Sequence, residues 1–246
     1  MSRYLWALAL AFVSFGATPV SAQERSAVKP GFVLAPGSSR ILLFRPKITV
    51  GAQSTGGLFE PNADWTAQGR ENIGASLRIA QGQLGNEVVE APEFFGDDAV
   101  AAAEYQSLFS VLASSVISYK FFPGNRLPTK IRANVFDWTV GPGLGDLVKT
   151  SNCDYALFIL TEDAIGSTGR KIFQVFAAMA SVSVKSGEHK GYAGLIDLRT
   201  GELVWLNADL QMGGDVRTPE GAQKRVAQLL EDFPGRPVLV PAAAAK

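Results

Sequence analysis

The sequence predicts an α/β fold tending to α+β: a single mixed β-sheet with helices packed on its faces, closed by a C-terminal β-hairpin and a helix. Three observations carry that expectation. Short apolar runs alternate with stretches of helical period through the first two thirds of the chain. The run DYALFIL, Asp154 to Leu160, is apolar on both faces, as a central strand is when helices cover both sides of a sheet. Two further strand-like runs, Tyr192–Leu198 and Leu203–Leu210, flank the turn Arg199-Thr200-Gly201-Glu202, and a helix signal follows them.

Residues 1–22 read as a signal peptide. Arg3 supplies a basic start, Tyr4–Phe15 is a 12-residue apolar run, and Val20-Ser21-Ala22 offers small residues for cleavage between Ala22 and Gln23. The run is shorter than the ~20 residues that a membrane span needs. The expected destination is the periplasm. No cysteine follows the run, so no lipid anchor is expected. Cleavage removes Arg3 from the 23 basic residues and leaves 22 against 23 acidic, a formal charge of −1. Residues 23–39 hold Pro30, Gly31, Pro36 and Gly37 and read as an extended leader before one domain over 40–233.

Within that domain Arg40–Phe44 reads as a buried strand, and a Gly-rich loop from Gly51 to Gly57 leads to Asp64. Asp64 is expected to cap a helix from about Trp65 to Leu84, with Ile73, Leu77, Ala80 and Leu84 on one side. Glu87–Ala91 reads as a strand. Asp97 opens the longest helix, to about Tyr119, along the stripe Ala101, Tyr105, Leu108, Leu112, Val116 and Tyr119. Phe121–Lys130 is a loop, Val135–Val140 is extended, and Leu144–Thr150 is a short helix.

After the central strand, Arg170 to about Ser183 is helical in spacing, with Ile172, Val175, Phe176 and Met179 on one face. A helix lying on the sheet is the expectation there. Interfacial membrane binding is the second reading, since Arg170, Lys171 and Lys185 flank the run. Thr218-Pro219-Glu220 combines a capping hydroxyl, proline at the first position and a carboxylate at the positive dipole end. The helix it starts carries Ala222, Val226, Leu229, Leu230 and Phe233 at core spacing. Residues 234–246 have nothing to pack and are expected to be disordered.

Composition narrows function more by exclusion than by indication. The chain is 47% hydrophobic and 19% charged, with 23 basic and 23 acidic residues and no basic cluster, so a nucleic-acid partner is not expected. One cysteine, Cys153, and one histidine, His189, leave no metal or cofactor site in view. His189 lies in Ser186-Gly187-Glu188-His189-Lys190, which reads as a solvated turn with no Gly-x-Ser-x-Gly elbow and no nucleophile or orienting acid in a recognised register. Gly141-Pro142-Gly143-Leu144-Gly145 fits neither dinucleotide nor phosphate-loop spacing. Paired carboxylates remain the one catalytic option, from Asp137, Glu162, Asp163, Asp197, Asp209 and Asp215 at expected strand ends. The candidate binding surface comprises Trp65, Asp137, Trp138 and Phe176, with Asp137-Trp138 placing an aromatic ring beside an acid.

Asp197, Thr200, Gly201, Glu202 and Trp205 form an Asp-x-x-Thr-Gly-Glu hairpin ending in a tryptophan strand. This resembles the small α/β domain at the N-terminus of the Tol translocation beta-propeller protein. It is also similar to the periplasmic domains of curli-secretion and penicillin-binding-protein-activator lipoproteins. With FEPNADWT, FDWTVGPG and DYALFI added, the chain resembles an uncharacterised family of exported bacterial proteins over roughly 40–233. The resemblance implies an envelope location and the fold above, and no reaction. The expected function is therefore a non-enzymatic binding or assembly module for another envelope component. A carboxylate-dependent hydrolase of envelope glycans, or a membrane-associated homo-oligomeric assembly, is the alternative.

Overall fold

In the computed structural model, the described residues are 24–121, 136–179, 181, 182, 184 and 187–236. The signal-peptide reading, with its cleavage site at Ala22 and Gln23, lies outside them, as do most of the expected loop after Phe121 and most of the tail. The elements are β1 (Glu24–Val28), β2 (Arg40–Leu43), β3 (Lys47–Gln53), β4 (Phe59–Pro61), α1 (Ala63–Gln81), β5 (Glu87–Glu90) and α2 (Gly96–Val116). They continue with α3 (Gly143–Leu147), β6 (Tyr155–Gly166), α4 (Thr168–Met179), β7 (Gly187–Asp197), β8 (Leu203–Asp209) and α5 (Pro219–Leu229).

All eight strands form one mixed sheet in the order β1-β8-β7-β6-β2-β5, with β3 on β6 and β4 on β3. The expected α/β architecture is what the chain adopts. β6 is its axis. Its first half pairs parallel with β2, its second half parallel with β3, and its other side antiparallel with β7 from Tyr155↔Asp197 to Ile165↔Gly187. Alternate residues of β6 feed two cores. Leu157 and Ile159 join Ile48, Val50, Ile73, Leu77, Val226 and Leu229 beneath α1 and α5. Ala156, Phe158 and Leu160 join Leu42, Phe44, Phe109, Leu144 and Leu206 beneath α2 and α3. Burial on both sides is why the strand reads as continuously apolar.

The helices follow their caps. Asn62, not Asp64, caps α1: its Oδ1 accepts from the Trp65 backbone N–H at 2.9 Å, and Asp64 sits in the first turn. Thr218 caps α5, accepting from the Gly221 N–H at 3.1 Å, with Pro219 at the first turn. Leu229, Leu230 and Phe233 are all buried beneath it. Helical backbone from Gly96 to Phe121 spans 26 residues, long and apolar enough to cross a membrane, yet Phe109, Ala113 and Val116 are fully buried in the second core. Gly194 of β7 lies beneath the Phe109 ring, where any Cβ would collide with it.

Three further expectations change. The leader carries an edge strand, β1, paired antiparallel with β8 over Glu24–Val28. The Gly-rich loop begins inside β3, because Gly51 lets the Phe59 ring and Glu60 backbone of β4 close onto it. The third change is α4. Its helical period is as expected, but it does not lay its apolar face on the sheet.

Candidate binding surface

The four residues expected to form a binding surface are not brought together. Asp137 is exposed, and Trp138 is half-buried against the second core, its backbone carbonyl accepting from Leu203 N–H at 2.8 Å. Thr139 then bridges Glu202 beside the β7–β8 turn, so this segment braces the hairpin. A polar cleft of about 600 Å³ at the start of β6 is lined by Asp146, Lys149, Cys153, Asp197 and Arg199, and includes none of the four. Cys153 is half-buried there.

Trp65 belongs to a polar assembly at the other end of the sheet, built on Asp163, Thr161 and Arg225. Arg225 is fully buried on the inner face of α5, within the stripe of Ala222, Val226 and Leu229. Its Nη1 donates to Thr161 Oγ1 at 2.6 Å and Asp163 Oδ1 at 2.8 Å, while Nε and Nη2 donate to the Gly213 and Gly214 carbonyls at 3.1 and 2.9 Å. A buried guanidinium is tolerable only with such a full set of acceptors. Asp163 lies directly across the ladder from His189, whose Nδ1 is 3.0 Å from the same Oδ1. His189 is therefore a strand residue with an acid partner, which corrects the reading of a solvated turn. The signals available in the sequence were a charge inside an apolar helical stripe and an acid at an inward strand position.

Arg217 closes this end. Its Nε and Nη2 grip Asp215 at 2.9 and 2.6 Å, and its guanidinium lies over the Trp65 ring at 4.6 Å. The paired guanidinium holds the Asp215 carboxyl below the usual carboxylate range, and Asp215 in turn raises Arg217. Four of the six carboxylates weighed for catalysis, Asp163, Asp197, Asp209 and Asp215, have structural engagements. Asp197 accepts from the Arg199 and Thr200 N–H groups, Asp209 from Gln211 N–H, and Asp163 from Arg225.

Phe176 lies on α4, beyond the ends of β3 and β6. Arg170 and Ala177 are its buried residues. The Arg170 guanidinium reaches the Ser54 and Thr55 carbonyls at 3.3 and 3.5 Å, and Ser167 Oγ accepts from Arg170 N–H at 3.2 Å. At the far end Val182 N–H returns to the Ala177 carbonyl and Ser181 N–H to Ala178, with Ser181 at φ 58°, a left-handed stop. The helix is thus seated on the β3–β4 loop by its polar side. Ile172, Phe173, Val175, Phe176 and Met179 lie on the remaining arc at 54%, 47%, 56%, 64% and 78% exposure. An amphipathic helix of a globular domain ordinarily turns its apolar stripe to the core. Here the stripe faces out, a contiguous apolar patch of the kind that marks an interaction surface.

No family model matches the chain, and no curated protein does. Among solved structures, the chain is similar to two PelC dodecamer structures from Paraburkholderia phytofirmans. Each is 13% identical and covers 87% of this chain, with 98% and 96% of the PelC chains covered and TM-scores of 0.40 and 0.38. It is also similar to a DUF4136 family protein from Bacteroides thetaiotaomicron: 8% identity, 83% of this chain, 92% of that one, TM-score 0.32. The resemblance to the Tol and lipoprotein domains rests on the hairpin residues and is not confirmed by these structures.

Proposed function

We propose that the chain is an exported, non-enzymatic envelope protein that works as a binding or assembly module, with the outward face of α4 as its docking surface. The observation that carries the reading is the inverted seating of α4: Arg170 and Ala177 inside, Phe173, Phe176 and Met179 outside. Five large apolar side chains on one helix gain transfer free energy only when something covers them, at ~25 cal/mol per Å² removed from water. The basic, apolar and small-residue segments of 1–22 support export. The engagement of Asp163, Asp197, Asp209 and Asp215 in ion pairs and turns supports a structural use of those acids.

The test is covalent trapping in growing cells. A photoreactive benzoylphenylalanine in place of Phe176 should give discrete adducts in the envelope fraction on irradiation. The same residue in place of Lys224, exposed on α5, should not. Adducts no more abundant from 176 than from 224 overturn the reading.

A further inference from the structure

A second helix also turns apolar residues outward. On α2 the inner row is Ala102, Phe109, Leu112, Ala113 and Val116, and the opposite row holds Val100, Leu108 and Val111, at 59%, 43% and 64% exposure. Phe95, at the start of the helix, is 75% exposed. The two outward faces differ in charge. α2 carries exposed Asp97 and Glu104 on this side and no basic residue; on α4 the exposed charge is Lys171, Arg170 being buried behind the helix, and there is no acidic residue. On the helical wheel Asp97 and Glu104 fall on the row of Val100 and Val111, and Lys171 borders the row of Val175 and Met179. Each helix is apolar enough to be covered and opposite in sign to the other.

We infer that the occupant of the α4 face is a second copy of this chain, which receives it on the outward face of its α2, with Lys171 brought to the acidic row. The inference rests on the docking role proposed for α4 and names its partner. Acids and a base at the edges of an apolar contact fix register and suppress the like-charged pairing of α2 with α2 or α4 with α4. Two different faces of one chain meet, so the contact is head-to-tail. It propagates beyond two copies, into a closed ring if the rotation closes and a filament if it does not.

The experiment is light scattering and sedimentation of protein purified from cells expressing the full chain, over a concentration series. Assemblies larger than two copies are expected. Phe176→Asp and Val111→Asp, at positions exposed enough to keep the fold (checked by circular dichroism), should each weaken association at least about 10-fold. The two single variants mixed should form a dimer and stop. The intact α4 of Val111→Asp docks on the intact α2 of Phe176→Asp, and the remaining faces are spoiled. Lys171→Glu should weaken assembly as well. With purified protein, any of four results overturns the inference: a wild-type monomer throughout, association insensitive to Val111→Asp, mixed variants that remain monomeric, or α4-dependent co-sedimentation with anionic vesicles in place of self-association. If adducts from position 176 in cells contain a different protein, the docking role stands and the second copy fails.

Discussion

Arg225 shows how one side chain can organise an end of the sheet. It is fully buried, and its hydrogen bonds tie α5 to Thr161 and Asp163 of β6 and to the Gly213–Gly214 turn. Removing it strands the buried Asp163 carboxylate, whose Oδ1 then keeps the His189 contact at 3.0 Å. Truncating one member of a buried ion pair costs about 3–5 kcal/mol, whereas replacing both with apolar groups of similar volume is often near neutral. Arg225→Ala should therefore lower unfolding stability by about that amount in urea denaturation, and Arg225→Met combined with Asp163→Leu should recover much of it. A loss from Arg225→Ala below about 0.5 kcal/mol would mean the residue is solvated. This cluster was only half legible in the sequence. A charge at Arg225 breaks an otherwise apolar stripe and can be noticed. Its pairing with Asp163, and the placing of His189 opposite that acid, depend on a strand register between residues far apart in the chain.

At the scale of elements, legibility followed the local chemistry. The cap at Thr218, the positive-φ turn at Gly201 (φ 72°) and the doubly buried β6 each have a cause within a few residues, and each forms as expected. β1 and β4 are edge strands whose formation depends on a partner, β8 for one and β3 for the other, so their own residues carry little signal. The β7–β8 ladder also contains a shift between Leu195 and Ile196, which leaves Val204 and Trp205 together in the core beneath α5. Simple alternation would have put them on opposite faces. α4 is the instructive miss: periodicity locates an apolar face but does not say which way the face turns. α5 turns its stripe inward. Leu229 is 1% exposed, so Leu229→Ala should cost about 2–5 kcal/mol, read from the denaturation midpoint at unchanged slope. A cost under about 0.5 kcal/mol would contradict its place in the core.

For the molecule as a whole, the stable part and the proposed docking face are separate. The sheet, α1, α2 and α5 bury two apolar layers around β6, and the fold needs nothing from the outward side of α4. That side is held in place by Arg170 and Ala177 from behind, which leaves Phe176 free to meet a partner without disturbing the core. The most direct measurement asks whether this face is covered where the protein acts. With Cys153 replaced by serine and Phe176→Cys introduced, a membrane-impermeant maleimide can be applied to permeabilised cell envelopes and to dilute purified protein. The account predicts labelling of position 176 at least about 10-fold slower in the envelope than in dilute solution, with a cysteine in place of Lys224 labelled equally in both. Equal labelling of position 176 in the two settings would show the face bare in the cell and contradict the account.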